Sequence, residues 1–249
     1  MTHEKTDELE VLTWPEVESA IENGTRTAIV GIGSIEQHGP HLPLLMDTLL
    51  GDELSRRVAR ELGDAVAVPT IRPGCSGHHM DFPGTITIPP DVLMSTIRAY
   101  CTSLDEHGFE YIVLLPTHGG NFAPVNTVAP EIAREIEASV IAIAELNELM
   151  SLMNEGLREA GVDYEEPVVH AGAIETAIVL AVNEDLVRTE ELTTGREGDI
   201  PVSRLLSEGF RAITSTGVLG DPTKATSDAG EAILDRIVEQ YVQQIEAER

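Results

Sequence analysis

The sequence predicts an α/β fold, a mostly parallel central sheet covered by helices on both faces, and two observations carry that prediction. Four short runs are almost continuously apolar and rich in β-branched residues: "TAIVGIG" (27–33), "AVAVPTI" (65–71), "YIVLLPT" (111–117) and "SVIAIAEL" (139–146). Strands buried on both faces read in this way, whereas half-solvated strands alternate. Longer helical patterns separate the runs, and strand followed by helix, repeated, is the signature of βαβ units.

Taken in order, a helix containing Trp14 precedes the first strand. The stretch "DTLLGDELSRRVARELG" (47–63) is amphipathic and opens on Asp47, a residue type suited to a helix start. "PPDVLMSTIRAYCTSLDEHG" (89–108) and "NFAPVNTVAPEIAREIEA" (121–138) follow the second and third strands, with some interruption by proline. After the fourth strand, "LNELMSLMNEGLREAG" (146–161) and "AGAIETAIVLAVNEDL" (171–186) read as helices. No element is assigned to 187–217. A last amphipathic helix runs through "TSDAGEAILDRIVEQYVQQI", with Thr226, Ser227 or Asp228 as its cap.

Composition narrows the function classes. With 249 residues, 42% of them hydrophobic, the chain can bury a substantial core. It contains no internal repeat, no low-complexity linker and no apolar run long enough to span a membrane. The start, "MTHEKTDELE", lacks the apolar segment of a secretory signal. The expectation is therefore one cytoplasmic domain over 1–249, with residues 1–10 as a flexible acidic tail. Cys75 and Cys101 stand apart, without a CxxC partner, and suit small buried hydrophobes. There are 43 acidic residues against 16 Lys plus Arg, a formal charge of −27, and Lys5 and Lys224 are the only lysines. So acidic a surface repels phosphate backbones and anionic lipid, which argues against nucleic-acid and membrane partners. Dispersed acid with little lysine also suggests a halophilic protein suited to a salt-rich cytoplasm, where screening relieves self-repulsion.

Chemistry concentrates where strands end. In open parallel sheets the loops at the carboxyl edge face one crevice, and two predicted strands run there into Gly-rich polar loops, "GSIEQHGPHLPLLMDT" (33–48) and "THGGN" (117–121). If those strands are neighbours, Glu36, His38 and His118 converge. Glu36 and His38 lie two apart, on the same side of an extended backbone. Imidazole nitrogen and carboxylate oxygen are the ligands borderline divalent ions accept, and Asp47 can either cap its helix or bridge two metals.

In order, "GSIEQHGPHLPLLMDT", "HHMDFPGT", "THGGN", "HAGAIET" and "GVLGDPTKAT" resemble the successive motifs of the creatininase family of metal-dependent amidohydrolases, over roughly Ala28 to Gly230. The resemblance implies an α/β/α layered fold, two divalent metal ions per chain (Zn2+, with Mn2+ or Fe2+ in some members) and commonly a homohexamer. It further implies that Glu36, Asp47 and His118 hold one metal and His38 with Asp47 the other, Asp47 bridging. In creatininases proper a glutamate lies two residues beyond the histidine matched by His118. Here Gly120 stands there, and Glu175 of "HAGAIET" is the available replacement, as in members that share the H-G-G-N form. A carboxylate on so apolar a helix needs a partner, which a metal would provide. His170 resembles the family's substrate-orienting or proton-transferring histidine and, with Glu175, makes up the expected catalytic set. Gly119, Gly120 and Asn121 can offer backbone N–H groups to a developing oxyanion. His79 resembles a position near the mouth of the site; neither it, His78 nor His41 is assigned a catalytic role.

The implied reaction is hydrolysis of a C–N bond other than a peptide bond, in a small cyclic amide or formamide. Creatininases proper enclose their substrate with tryptophans, whereas Trp14 is the only tryptophan here and none falls near Asn147 or Glu166. The family also includes an archaeal deformylase of a formamidopyrimidine nucleotide and a peptidase that trims a redox-cofactor precursor. An alternative from another class is a non-catalytic nucleotide- or phosphate-binding α/β protein with anions at "THGGN" and "GVLGDPTKAT". No GxxxxGK[ST] or GxGxxG fingerprint supports it.

Overall fold

The computed structural model describes residues 7–249. Among them four strands, β1 (Thr27–Ile32), β2 (Ala65–Ile71), β3 (Tyr111–Pro116) and β4 (Ser139–Ala142), form one parallel sheet in the order β2-β1-β3-β4. All six residues of β1 are buried, as expected of a central strand covered on both sides. β1 and β3 are in-register neighbours, from Thr27 opposite Tyr111 to Ile32 opposite Pro116. The helices are α1 (Trp14–Glu22), α2 (Met46–Leu62), α3 (Pro90–Glu106), α4 (Phe122–Ile132), α5 (Leu146–Glu159), α6 (Ala173–Asn183), α7 (Val202–Glu208) and α8 (Ser227–Glu248).

That strand order locates the site. From β1 the chain crosses through α2 to β2 on one side, and from β3 through α4 to β4 on the other. Right-handed crossovers in opposite directions place α2 and α4 on opposite faces of the sheet, giving the α/β/α layering. Between β1 and β3 the two connections diverge, and a crevice opens at the carboxyl ends of these strands. The loops after β1 and β3 border it.

Several sequence expectations change in detail. β4 stops at Ala142 rather than running to 146, and α4 ends at Ile132, two residues after Pro130, rather than at 138. The unassigned stretch 187–217 folds as short 3₁₀ turns around α7, which buries Leu205 beside Phe210 and Leu219. Residues 1–6 of the expected acidic tail, with Lys5, lie outside the described residues. From Asp7 onward the chain is not a free tail: the Ala67 N–H donates to the Asp7 carbonyl, and Glu8 bridges to Ala67 at the edge of β2. Thr226 caps α8 by accepting the Ala229 N–H. Among the described residues no helix is long and apolar enough to cross a membrane.

α8 packs across α5 and α6 at close range because glycines stand at the crossings. A Cβ on Gly156 of α5 would lie 2.5 Å from the Ile233 Cα, and one on Gly230 of α8 would lie 2.0 Å from the Ala177 carbonyl oxygen. Backbone cannot swing aside as a side-chain tip can, so Gly156→Ala should cost about 1–3 kcal/mol through separation of the two helices. Urea denaturation would measure it, and an unchanged midpoint would contradict this packing.

Candidate metal centre

Glu36 and His38 leave the end of β1 in a loop fixed on both sides. The Ile86 N–H donates to the Ile35 carbonyl, and the Gln37 N–H donates to Thr85 Oγ1, so "HHMDFPGT" serves to hold this loop. Asp47 lies in the first turn of α2, buried, and its backbone carbonyl accepts the Thr117 hydroxyl. Its carboxylate does not cap the helix. Oδ1 is 3.6 Å from His38 Nε2, and Oδ2 is 3.6 Å from His118 Nδ1.

Around Asp47 the donor atoms fall into two groups, Glu36 with Asp47 and His118, and His38 with Asp47 and Glu175. His118 Nδ1 is 3.2 Å from Glu36 Oε2, and His38 Nε2 is 3.5 Å from Glu175 Oε2. Each imidazole spends its other nitrogen on a backbone carbonyl, His38 Nδ1 on Glu36 at 3.2 Å and His118 Nε2 on Cys75 at 3.2 Å. That leaves one lone-pair nitrogen per ring aimed at carboxylates, the arrangement that backbone partners impose on metal-binding histidines.

The donor set fits divalent ions on two grounds. First, His38 Nε2 and Asp47 Oδ2 are fully buried without a hydrogen-bond partner, a state too costly to persist unless something else satisfies them. Second, two ligands each ~2.1 Å from a tetrahedral ion are separated by about 3.4 Å, which matches the 3.2–3.6 Å spacings. The electrostatics agree. Burial works against charge on His38, yet the Asp47 and Glu175 carboxylates outweigh it and push its pKa up to about 10. Burial likewise opposes charge on His118, and Glu36 overcomes it, raising that pKa to about 9. Burial, with Asp47 nearby, raises Glu175 to about 7, and burial with Glu36 nearby raises Asp47. Without metal, protons stand in for the missing positive charge.

Glu175 sits in the first turn of α6 and accepts the Ala171 N–H. Ala171 is the one non-glycine among the described residues with a left-handed backbone, at φ 55°. That strain is held between His170, whose carbonyl accepts the Leu219 N–H, and Glu175. "GVLGDPTKAT" therefore pins the segment at His170 in place. His170 is buried, with Nδ1 4.0 Å from Glu36 Oε1.

Asn121 departs from its expected role. Its N–H is taken by the His118 carbonyl, its Oδ1 accepts the Cys75 N–H, and its Nδ2 donates to Ile32 and Gly33. It clamps the three loops and has no free N–H for an oxyanion. Gly119 and Gly120 line the cavity, and Gly120 is needed sterically, since a Cβ there would lie 2.6 Å from His118 Nε2. His41 is buried and bonds Thr176 Oγ1 at 3.0 Å, away from the donor groups. His79, left without a role by the sequence, is buried with Nε2 3.2 Å from Glu36 Oε1. Gln37, which sequence reasoning passed over, bonds both His79 and His170.

The family model described as creatinine amidohydrolase, creatininase, matches residues 10–245. The chain belongs to the creatininase family. It is accordingly an amidohydrolase, an enzyme that hydrolyses C–N bonds. Among its relatives, the mycofactocin precursor peptide peptidase of Mycolicibacterium smegmatis is 34% identical over 84% of this chain and 80% of its own length. The creatinine amidohydrolase of Pseudomonas putida is 26% identical over 92% of each chain. A crystal structure of creatinine amidohydrolase superposes with a TM-score of 0.82 at 25% identity, covering 98% of both chains.

Creatininase-family chemistry has room here. A cavity of about 210 Å³ opens onto Glu36, Asp47, His118, His170 and Glu175. Its outer wall is apolar: Leu146, Met150 and Met153 of α5 face Val202 and Leu206 of α7, and Phe210. Among the described residues that line it, none is Lys or Arg.

Proposed function

We propose that this creatininase-family chain hydrolyses the C–N bond of an uncharged amide that carries an apolar group beside the scissile bond. Two divalent ions, zinc by preference with manganese or iron as alternatives, would be held by Glu36, Asp47 and His118 and by His38, Asp47 and Glu175. Bound there, such ions lower the pKa of a water and polarise the amide carbonyl. The chain's own residues supply the rest. Asp47 offers one oxygen to each donor group, His170 meets the amide from the cavity wall, and the α5 and α7 side chains exclude water from its apolar end.

The observation that carries the substrate reading is the cavity wall. A phosphate held against the apolar wall would find no lysine or arginine to pair with, which counts against a formamidopyrimidine nucleotide and against a phosphate-binding module. Creatinine lacks its tryptophan enclosure, because Trp14 belongs to α1 and stands 77% exposed. An aliphatic or aromatic group on the substrate would bury against Leu146, Met150, Val202 and Leu206, and ~25 cal/mol per Å² of apolar area favours it. A peptide-like amide fits this wall best, which departs from the non-peptide bond that the sequence implies and agrees with the peptidase name of the 34%-identical relative. Composition and family complete the reading with a homohexamer in a salt-rich cytoplasm.

The test compares zinc-loaded protein on short peptides with apolar residues flanking the bond, on creatinine, and on a formamidopyrimidine nucleotide. The peptides should give a kcat/KM at least about tenfold above the other two, the discrimination expected of one well-filled apolar subsite. Metal analysis should find about two ions per chain. Preferred turnover of the nucleotide would overturn the substrate reading, and absence of bound metal would favour the non-catalytic alternative.

A further inference from the structure

We propose that Gln37 is a positioning residue that fixes the tautomers of His79 and His170, and so makes His170 a hydrogen-bond donor to the substrate. This rests on the active site proposed above. Gln37 is buried between Glu36 and His38, and its amide orientation is settled by its neighbours. Oε1 accepts the Gly39 N–H at 3.0 Å, so the NH₂ end must face the two rings. Gly217 closes over it: a Cβ there would lie 1.9 Å from Gln37 Oε1, so the amide is boxed in.

Nε2 of Gln37 lies 2.8 Å from His170 Nε2 and 3.1 Å from His79 Nδ1, with the Gly217 carbonyl farther off at 3.3 Å. An amide NH₂ only donates, so both ring nitrogens must accept through lone pairs. Both histidines are then neutral, and each carries its proton on the opposite nitrogen. For His79 that nitrogen is Nε2, whose N–H donates to Glu36 Oε1 at 3.2 Å. Glu36 Oε2 is thereby left to face His118. The two constraints on His79, one from Gln37 and one from Glu36, require the same tautomer.

For His170 the proton sits on Nδ1. The nearest carboxylate, Glu36 Oε1, is 4.0 Å away, beyond hydrogen-bond reach, so this N–H is available to a molecule in the cavity. A nitrogen that already carries its proton cannot act as a base. The geometry therefore selects orientation and oxyanion donation over proton abstraction for His170.

The experiment is ¹⁵N-histidine NMR on zinc-loaded protein, with the His170 signals assigned by His170→Gln. Wild type should show His170 protonated on Nδ1 and bare on Nε2. Gln37→Glu changes one amide into an acceptor of the same shape and should reverse that, placing the proton on Nε2, while metal content stays unchanged. On a hydrolysed amide its kcat should fall roughly hundredfold with KM altered far less, the pattern for a lost transition-state donor. Gln37→Met, which neither donates nor accepts, should give a mixture of both tautomers. A purely structural Gln37 would lower the melting temperature of both variants and leave the tautomer alone. Wild-type His170 protonated on Nε2, or a kcat in Gln37→Glu equal to wild type, would overturn the proposal. The tautomer is read whether or not an amide is turned over, so a protein with the stated tautomer and no hydrolysis would sink the proposed function instead.

Discussion

Asp47→Ala should strip the protein of metal and hydrolysis together. His118 and Glu175 stand on opposite sides of Asp47, whereas Asp47 itself gives Oδ1 to the side of His38 and Oδ2 to the side of His118. Its removal leaves two incomplete groups rather than one. If each ion contributes several kcal/mol of transition-state stabilisation, kcat/KM should drop roughly 10⁴-fold or more. Stability should respond in an unusual way. Burial and the Glu36 charge both oppose ionisation of Asp47, so the metal-free protein holds a carboxylate it would be better without. Chelated wild type and Asp47→Ala should therefore melt within a few degrees of each other. Added zinc should raise the melting temperature of wild type alone, by mass action on the folded state. A variant that kept two ions per chain and its activity would remove Asp47 from the centre.

The parts of this site that were legible in the sequence are those set by local pattern. Buried strands read as unbroken apolar runs, so β1 and β3 and the loops at their ends could be located, with Glu36, His38 and His118 at the right edge of the sheet. Asp47 could be placed at a helix start from "PLLMDT". Glu175 stood out because a carboxylate on the apolar "AGAIETAIVLAV" helix lacks a local reason. What stayed hidden depends on distant contacts. Gln37 finds its partners 42 and 133 residues away, in His79 and His170, and nothing within its own motif announces them. The apolar wall joins α5 to α7, and α7 lies in a stretch whose turns obscure any periodicity. Asn121 looked like an oxyanion donor because its neighbours are glycines. Only the fold reveals that the segments after β1 and β2 both claim its amide and that its N–H is already spent.

Glu166→Gln should stabilise the protein by an amount that grows with pH. Glu166 is buried beneath the start of α6, where Oε1 accepts the Ala173 N–H and Oε2 has no partner. Asn154 of α5 clamps its backbone from both sides, at 2.8 and 3.0 Å, so the side chain cannot swing out to water. A Cβ on Gly172 would lie 1.9 Å from Oε1, so the carboxyl is pressed against the start of α6. Burial, reinforced by Glu175, pushes the Glu166 pKa up to about 8, against an ordinary 4.5. The folded chain therefore keeps a proton that the unfolded chain releases above pH 4.5. Stability from this group is complete below that value and is lost as pH rises toward 8, at ~1.4 kcal/mol per pH unit. Glutamine keeps the acceptor for Ala173 and never ionises. Between pH 6 and 8 the advantage of the variant should widen by roughly 3 kcal/mol and then level off. Urea denaturation of chelated protein at pH 6, 7, 8 and 9 would read this difference directly. A constant difference across that range would mean that Glu166 ionises as an ordinary carboxylate, and that the pocket behind α6 is wetter than its packing indicates.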